Sequence, residues 1–227
     1  MQNPSNQNEF IYPSSLSAKA LEIVALFDKT RWPSSKPRPC YRNLPNSARL
    51  SYELLDWNNY ETMLELFGND TNPFVMSSLR EKAEYDQYAA YQLGTGRYSG
   101  KRGACDWFLR LQNGVYVGVL HLYDVSFELI DGKRYPCSCG YAIAEPFRRQ
   151  GYAEEALRHL LSKLPLHFKL YQVEAEPLRA NEASVSLLTK VGFKFKKYFK
   201  NEWGNSVLMS KKLAVRIPKL TWEEINV

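Results

Sequence analysis

The chain has 227 residues, 44% of them hydrophobic, and a formal net charge of +6, a size that suits one compact domain with an extension. No apolar run approaches the roughly 20 residues that cross a bilayer, and the polar opening MQNPSNQNEF lacks the pattern of a secretory signal, so a cytoplasmic protein with no membrane role is expected. The four cysteines, Cys40, Cys105, Cys137 and Cys139, form no Cys-x-x-Cys pair and no Cys/His cluster, which argues against a metal site, while the positive charge fits nucleic acid or a small polyanion.

Residues 1–45 read as an extension. Leu16, Ala20, Ile23, Val24 and Phe27 share one face of a short helix, and the proline-rich PSSKPRPCYRNLP after it suits an extended arm. The main domain is expected over 46–215, with a tail at 216–227. ARLSYELL is its first strand. Asp56 is placed to cap a helix carrying Trp57, Tyr60, Met63, Leu64 and Phe67 on one side. LREKAEYDQYAAYQL reads as a second helix, and the glycine-rich GTGRYSGKRGA as a connection, since no strand precedes it and no helix follows.

Three strands follow: ACDWFLRLQ, turned at Asn113-Gly114; VYVGVLHLYDVSFEL, turned at Asp131-Gly132; and RYPCSCGYAIA. In the middle strand, Val115, Val117 and Val119 alternate with Tyr116, Leu120 and Leu122, so both faces are apolar and helices are expected on each side of the sheet. A helix then runs through Ala153, Ala156, Leu157, Leu160, Leu161 and Leu164, with Pro165 as its stop. KLYQVEAE is the next strand. Asn181 caps a helix whose inner face is Ser184, Leu187, Leu188 and Val191, closed by Gly192. Strands at about Phe193–Phe199 and Ser206–Leu213 complete the domain. In FKFKKYFK the alternation predicts rings inward and lysines in water, favoured over a nucleic-acid patch. The strands flanking the first late helix must run parallel, because a crossover helix joins them.

The junction EPFRRQGYA joins that strand to that helix. Glycine at a helix start lets a ligand approach the backbone, and the first turn offers unpaired N–H groups at the positive end of the dipole. Arg148 and Arg149 add charge. The residues alone leave two readings open: a phosphate site, or an ordinary turn with solvated arginines.

Arg148-x-x-Gly151-x-Ala153 resembles the (Arg/Gln)-x-x-Gly-x-(Gly/Ala) signature of the GNAT superfamily of N-acetyltransferases. GYAIAEPFRRQGYAEEAL, NEASVSLLTKVGF and SARLSYELLDWNNYETMLELF resemble the strand-loop-helix, the Asn-x-x-Ser and Gly-Phe motif, and the opening of its ribosomal-protein N-acetyltransferase-like branch. The likeness spans roughly Asn46 to Leu213. It implies an α+β fold with a mixed, mostly antiparallel sheet, a central parallel strand-helix-strand unit and helices on both faces. It implies acetyl-CoA as co-substrate and no metal. Backbone N–H groups of Arg149, Gln150, Gly151, Tyr152 and Ala153, beside Arg148, would cradle the pyrophosphate. Ala142, Ile143 and Ala144 would pair with pantetheine, and Asn181 would hydrogen-bond that arm or nearby backbone.

The implied reaction is acetyl transfer to a primary amine, on a protein N-terminus or a small molecule. It needs a neutral amine, a polarised carbonyl and a protonated leaving thiolate. Ser184 is the candidate for the sulfur, with a small core residue as the other reading; many relatives carry tyrosine where this chain has Leu188. For the base, the branch often has glutamate where this chain has Ser138, next to Cys139. Glu174 and Glu176, on one face of the following strand, are the substitutes, with His121 behind them. Two other functions stay open: a CoA-binding regulatory protein without catalysis, and a basic nucleic-acid-binding module, the latter disfavoured. A monomer or a homodimer is expected.

Overall fold

The computed structural model describes residues 12–28, 44–93, 102–126, 135–168 and 170–214. The proline-rich arm up to residue 43 with Cys40, residues 94–101 of the glycine-rich connection, the turn expected at Asp131-Gly132 and the tail lie outside these residues. The elements in chain order are α1 (Ala18–Asp28), β1 (Leu50–Leu54), α2 (Thr62–Phe67), α3 (Ser77–Arg80), α4 (Lys82–Tyr91), β2 (Arg102–Leu111), β3 (Tyr116–Ser126), β4 (Cys137–Ile143), α5 (Tyr152–Lys163), β5 (Gln172–Ala175), α6 (Glu182–Lys190), β6 (Lys194–Asn201) and β7 (Gly204–Lys212).

The strands form one seven-stranded sheet in the order β1-β2-β3-β4-β5-β7-β6. Among the described strands only β4 and β5 pair in parallel, as the α5 crossover requires. Helices cover both faces. On one, α5 and α6 close over Trp107, Leu109, Leu120, Leu122, Cys137, Cys139 and Val173. On the other, α1 to α4 close over Phe108 and Val119. Each large side chain buried this way contributes about 1.5–3 kcal/mol. α1 is part of the second layer: Leu16, Ala20 and Val24 are buried with Tyr60 and Tyr85, and the Ser17 N–H donates to buried Asp86 at 2.8 Å.

Several local readings change. Val115 precedes β3 and is exposed, and Val117 and Val119 fall on opposite faces. The β2–β3 register slips between Leu109 and Arg110, beside Gly118. There β3 approaches β4 so closely that a Cβ on Gly118 would lie 2.3 Å from the Ala142 carbonyl oxygen. Asp56 caps a turn, accepting from the N–H groups of Asn58 and Asn59, and α2 starts later. The helix expected over 79–93 breaks at Glu81, whose backbone is extended. Pro165 does not stop its helix, because a wider turn, Leu164–Phe168, follows directly.

In β6 the alternation fails. A bulge between Phe195 and Lys197 shifts the phase, and Phe195 and Tyr198 end up side by side, ring centres 4.8 Å apart, both more than half exposed. They belong to the edge strand and, with Val185 and Thr189 of α6, line an open groove.

Candidate active site

The site begins where two strands part. Cys137 pairs with Val173 and Ser138 with Glu174. Beyond that, β4 runs on to Ile143 while β5 ends at Ala175, so one edge of β4 is left open. Ala144 N–H donates to Val117 O at 3.0 Å. By the alternation of an antiparallel ladder, Ala142 and Ala144 spend their backbone groups on β3, and Cys139, Tyr141 and Ile143 turn theirs to the open side. Of the Ala142–Ile143–Ala144 segment, only Ile143 therefore faces the split through its backbone. Its carbonyl accepts from Arg148 Nε at 3.0 Å, which leaves its N–H.

The junction after β4 is a short 3-10 turn, Glu145–Phe147, followed by two residues with left-handed backbone, Arg149 at φ 61° and Gly151 at φ 83°. This curl directs successive N–H groups into one concavity. Among the described residues, no acceptor takes the N–H groups of Arg149, Gln150, Gly151, Tyr152, Ala153 or Glu154. Such a row at a helix N-terminus suits a phosphate.

The two arginines divide the labour. Arg149 is exposed beside the concavity. Arg148 is turned inward, where its guanidinium pairs with the carboxylate of buried Asp70. Burial pushes the Asp70 carboxyl up, but the bonds from Arg148 and the Asn72 N–H prevail and hold it below its usual value. Arg148 thus anchors the loop instead of reaching for a ligand with its side chain.

A third arginine, overlooked in the sequence, stands at the loop. Arg49, just before β1, donates to Gln150 O at 3.0 Å and to Glu155 Oε2 at 2.6 Å, and its guanidinium lies 4.5 Å from the centre of the Tyr152 ring. Glu155 also accepts from Arg49 N and Ser47 Oγ, both at 2.7 Å. Desolvation opposes ionisation of Glu155, yet these bonds hold its carboxyl below the usual range. The only local sign of Arg49 was a basic residue at the start of a strand.

Across the split, Asn181 caps α6, its Oδ1 accepting from Ser184 N at 3.1 Å. Its –NH2 group is what remains for a ligand. The Ser184 hydroxyl lies 2.9 Å from that of Tyr141, a second side chain not singled out in the sequence. Burial pushes the Tyr141 phenol up to about 12, so it is protonated at neutral pH and able to donate. The pair bridges β4 and α6 over the opening.

The proposed bases lie at the start of the split, on the other face of the sheet from the Ser184–Tyr141 pair. Ser138, Gly140 and Ala142 point to the opposite face of β4 from Cys139, Tyr141 and Ile143. Glu174 is beside Ser138 in register. Glu176 lies just past β5; desolvation, then the charges of Glu174 and Asp124, raise its carboxyl above the usual value. His121 is buried, its Nδ1 2.5 Å from Asp106 Oδ1. Cys137 and Cys139 are buried thiols, and burial pushes Cys137 up to about 12, which makes it a poor nucleophile. Among the described residues no group of His, Cys, Asp and Glu is placed to hold a metal ion, and no helix is long and apolar enough to cross a membrane.

A family model described as an acetyltransferase (GNAT) domain matches residues 49–194. Three solved structures resemble the fold. One is RimL, a ribosomal-protein alpha-N-acetyltransferase in complex with coenzyme A: 15% identical, TM-score 0.60, covering 76% of this chain and 98% of that one. A GNAT-family acetyltransferase from Bacillus anthracis is 16% identical, with TM-score 0.56 and coverage of 74% and 96%. A spermidine N-acetyltransferase from Vibrio cholerae, in complex with CoA and spermine, is 12% identical, with TM-score 0.59 and coverage of 73% and 96%. No curated protein matches the sequence.

Proposed function

The chain belongs to the GNAT acetyltransferase family, and from that premise we propose that it transfers the acetyl group of acetyl-CoA to a primary amine through the β4–β5 split. The observation that carries this reading is the row of N–H groups from Arg149 to Glu154 at the end of a strand whose edge is open. A diphosphate fits the concavity, and the pantetheine arm fits beside β4 as an added strand, meeting the backbone of Tyr141 and Ile143. The thioester carbonyl then lies within reach of a backbone N–H donor on β4.

Attack of a neutral amine on that carbonyl carbon forms the C–N bond, and breaking the C–S bond releases the thiolate. Ser184 and Tyr141 are the donors we assign to it, because their shared hydrogen bond lets either hydroxyl supply the proton while the other reprotonates it. Glu174 and Glu176 give the split an acidic rim that favours a cationic acceptor. A small polyamine or a protein N-terminus is the acceptor class we propose, in line with what RimL and the Vibrio cholerae enzyme are named for.

Calorimetric titration with acetyl-CoA, then release of free thiol with spermidine and with a peptide bearing a free α-amine, tests the reading. Binding followed by amine-dependent thiol release supports it. Binding without turnover on any amine favours a CoA-binding regulator, and absence of binding rejects the site.

A further inference from the structure

The mechanism above leaves the amine proton without a destination, and the face of β4 opposite Tyr141 offers one. A ligand lying along the open edge of β4 is in the plane of the sheet, so the amine must approach its carbonyl from above or below that plane. On one side Cys139, Tyr141 and Ile143 are packed against α5 and α6. On the other, β4 presents Ser138, Gly140 and Ala142, all small, and the room over Gly140 is taken by Tyr123. A Cβ on Gly140 would meet the Tyr123 ring at 3.4 Å and its hydroxyl at 3.5 Å. Glycine here lets the half-buried phenol lean from β3 across β4 toward the split.

Behind that phenol is a connected polar cluster. Tyr123 and Tyr88, the latter from α4, flank the same imidazole, the Tyr88 ring meeting that of His121 edge-on with centres 6.3 Å apart. Tyr88 Oη donates to Asp106 Oδ1 at 3.0 Å and lies 3.3 Å from His121 Nδ1. His121 Nδ1 is 2.5 Å from the same Asp106 oxygen, and its ring stacks on that of Tyr123, centres 5.6 Å apart and 11° from parallel. Asp106 and His121 are both buried. Burial is expensive for such groups unless they are paired or something is gained from it.

We propose that Tyr123 receives the proton of the attacking amine and that Tyr88 passes it on to the Asp106–His121 pair. The reading rests on the acetyl transfer proposed above. As nitrogen bonds to the carbonyl carbon, its N–H proton moves to Tyr123 Oη. The Tyr123 proton moves to Tyr88 Oη, and the Tyr88 proton to the Asp106–His121 pair, which gains one positive charge as a unit. The leaving sulfur takes its proton from the Ser184–Tyr141 side. Solvent removes the first proton and replaces the second after the products leave, so the balance is amine and thioester to amide and thiol. Burial, with the Asp106 charge beside them, keeps both phenols protonated at neutral pH, as carriers in a chain must be. The groups on the same face as Tyr123 are Tyr88 from α4, Asp106 from β2 and His121 on β3; Ser138 is opposite it in register, with Glu174 one strand further.

The test is Tyr123→Phe, which keeps the ring over Gly140 and against His121 and removes only the hydroxyl. With acetyl-CoA and whichever of spermidine or the free-α-amine peptide the parent turns over, kcat/KM for the amine should fall about 100-fold or more, the usual scale of lost proton transfer. The acetyl-CoA dissociation constant should stay within twofold. The pH profile should change from a plateau to a tenfold rise per pH unit, because the amine then depends on hydroxide. His121→Gln, which alters the pair without reaching the substrate, should lower kcat for the amine and leave acetyl-CoA affinity within twofold. An active parent with an unchanged Tyr123→Phe rate and pH profile overturns the relay and leaves the transferase reading standing. A parent that binds acetyl-CoA and turns over no amine overturns both.

Discussion

Gly151→Ala adds a single methyl group at the most exposed point of the phosphate concavity, and its effects on folding and on binding can be separated. The added Cβ would meet only Arg49 Nη2, at 3.4 Å, an ordinary contact with the end of a flexible side chain, so the fold does not reject the methyl on space. The backbone does resist it. At φ 83° a residue with a Cβ costs about 1–2 kcal/mol, which for a domain of this size lowers the melting temperature by roughly 2–8 °C. The same left-handed φ makes a β-branched residue such as valine a worse probe than alanine. For binding, a diphosphate must come within about 2.7–3.2 Å of the loop nitrogens, and a methyl group in the same concavity holds it off. A weakening of at least tenfold, about 1.4 kcal/mol, is expected for acetyl-CoA and equally for dephospho-CoA, which keeps the diphosphate. Gly151→Asn completes the experiment, because asparagine enters the left-handed region readily while carrying the same Cβ. It should melt closer to the parent than the alanine variant and still lose tenfold in affinity by calorimetry. A well-folded Gly151→Asn protein with parental affinity refutes the concavity as the diphosphate site.

Ser184→Ala and Tyr141→Phe should each lower kcat with little change in acetyl-CoA affinity, and the double variant should lose less than the product of the two, since they act through one hydrogen bond; three unchanged values of kcat would return the pair to a packing role. Asp70→Asn should destabilise the protein by about 1.5–3 kcal/mol at pH 7, the range for a hydrogen bond to a charged group, and weaken acetyl-CoA binding by loosening Arg148. Because the Asp70 carboxyl is held below its usual value, its contribution is complete above about pH 4 and disappears as pH falls through the lower folded value, so the gap between parent and variant in urea midpoints should close in acid. Removing residues 1–45 takes away Leu16, Val24 and Leu44 together with the Ser17 N–H on Asp86, and on about 1.5–3 kcal/mol per large buried side chain should cost roughly 4.5–9 kcal/mol by urea titration; a truncated protein as stable as the parent would make the extension independent of the domain, as its composition alone suggests.

What was legible in the sequence was local. Gly151 after two arginines, the Asn181 cap with Ser184 three residues on, and the apolar face of α5 are each read within a turn or two of chain, where hydrogen bonds and backbone preferences act directly. The parallel pairing of β4 and β5 followed from the crossover between them. What was hidden depends on contacts between distant segments. Arg148 looked like a ligand for phosphate because nothing near it in sequence shows Asp70. Arg49 reaches Glu155 across a separation of 106 residues, and Tyr141 reaches Ser184 across 43. The break at Glu81 and the bulge after Phe195 escape periodicity for a different reason: a single residue out of phase leaves the composition of the segment unchanged and moves every side chain beyond it to the other face.

That bulge bears on how the protein behaves at high concentration. β6 ends the sheet, so its outer backbone groups are a template for another strand, and Phe195 and Tyr198 beside them would add apolar contact to any such pairing. Opposing it are Lys194, Lys196, Lys197 and Lys200, all exposed on the same strand. Two such edges brought together repel through their lysines, and the bulge denies them a flat register. The repulsion between exposed charges acts over about 8 Å at physiological ionic strength and about 3 Å at 1 M salt. The edge is thus guarded by charge more than by shape, and the protein should stay dispersed in dilute buffer and self-associate as salt is raised, the reverse of what an acidic partner bound to the same lysines would do.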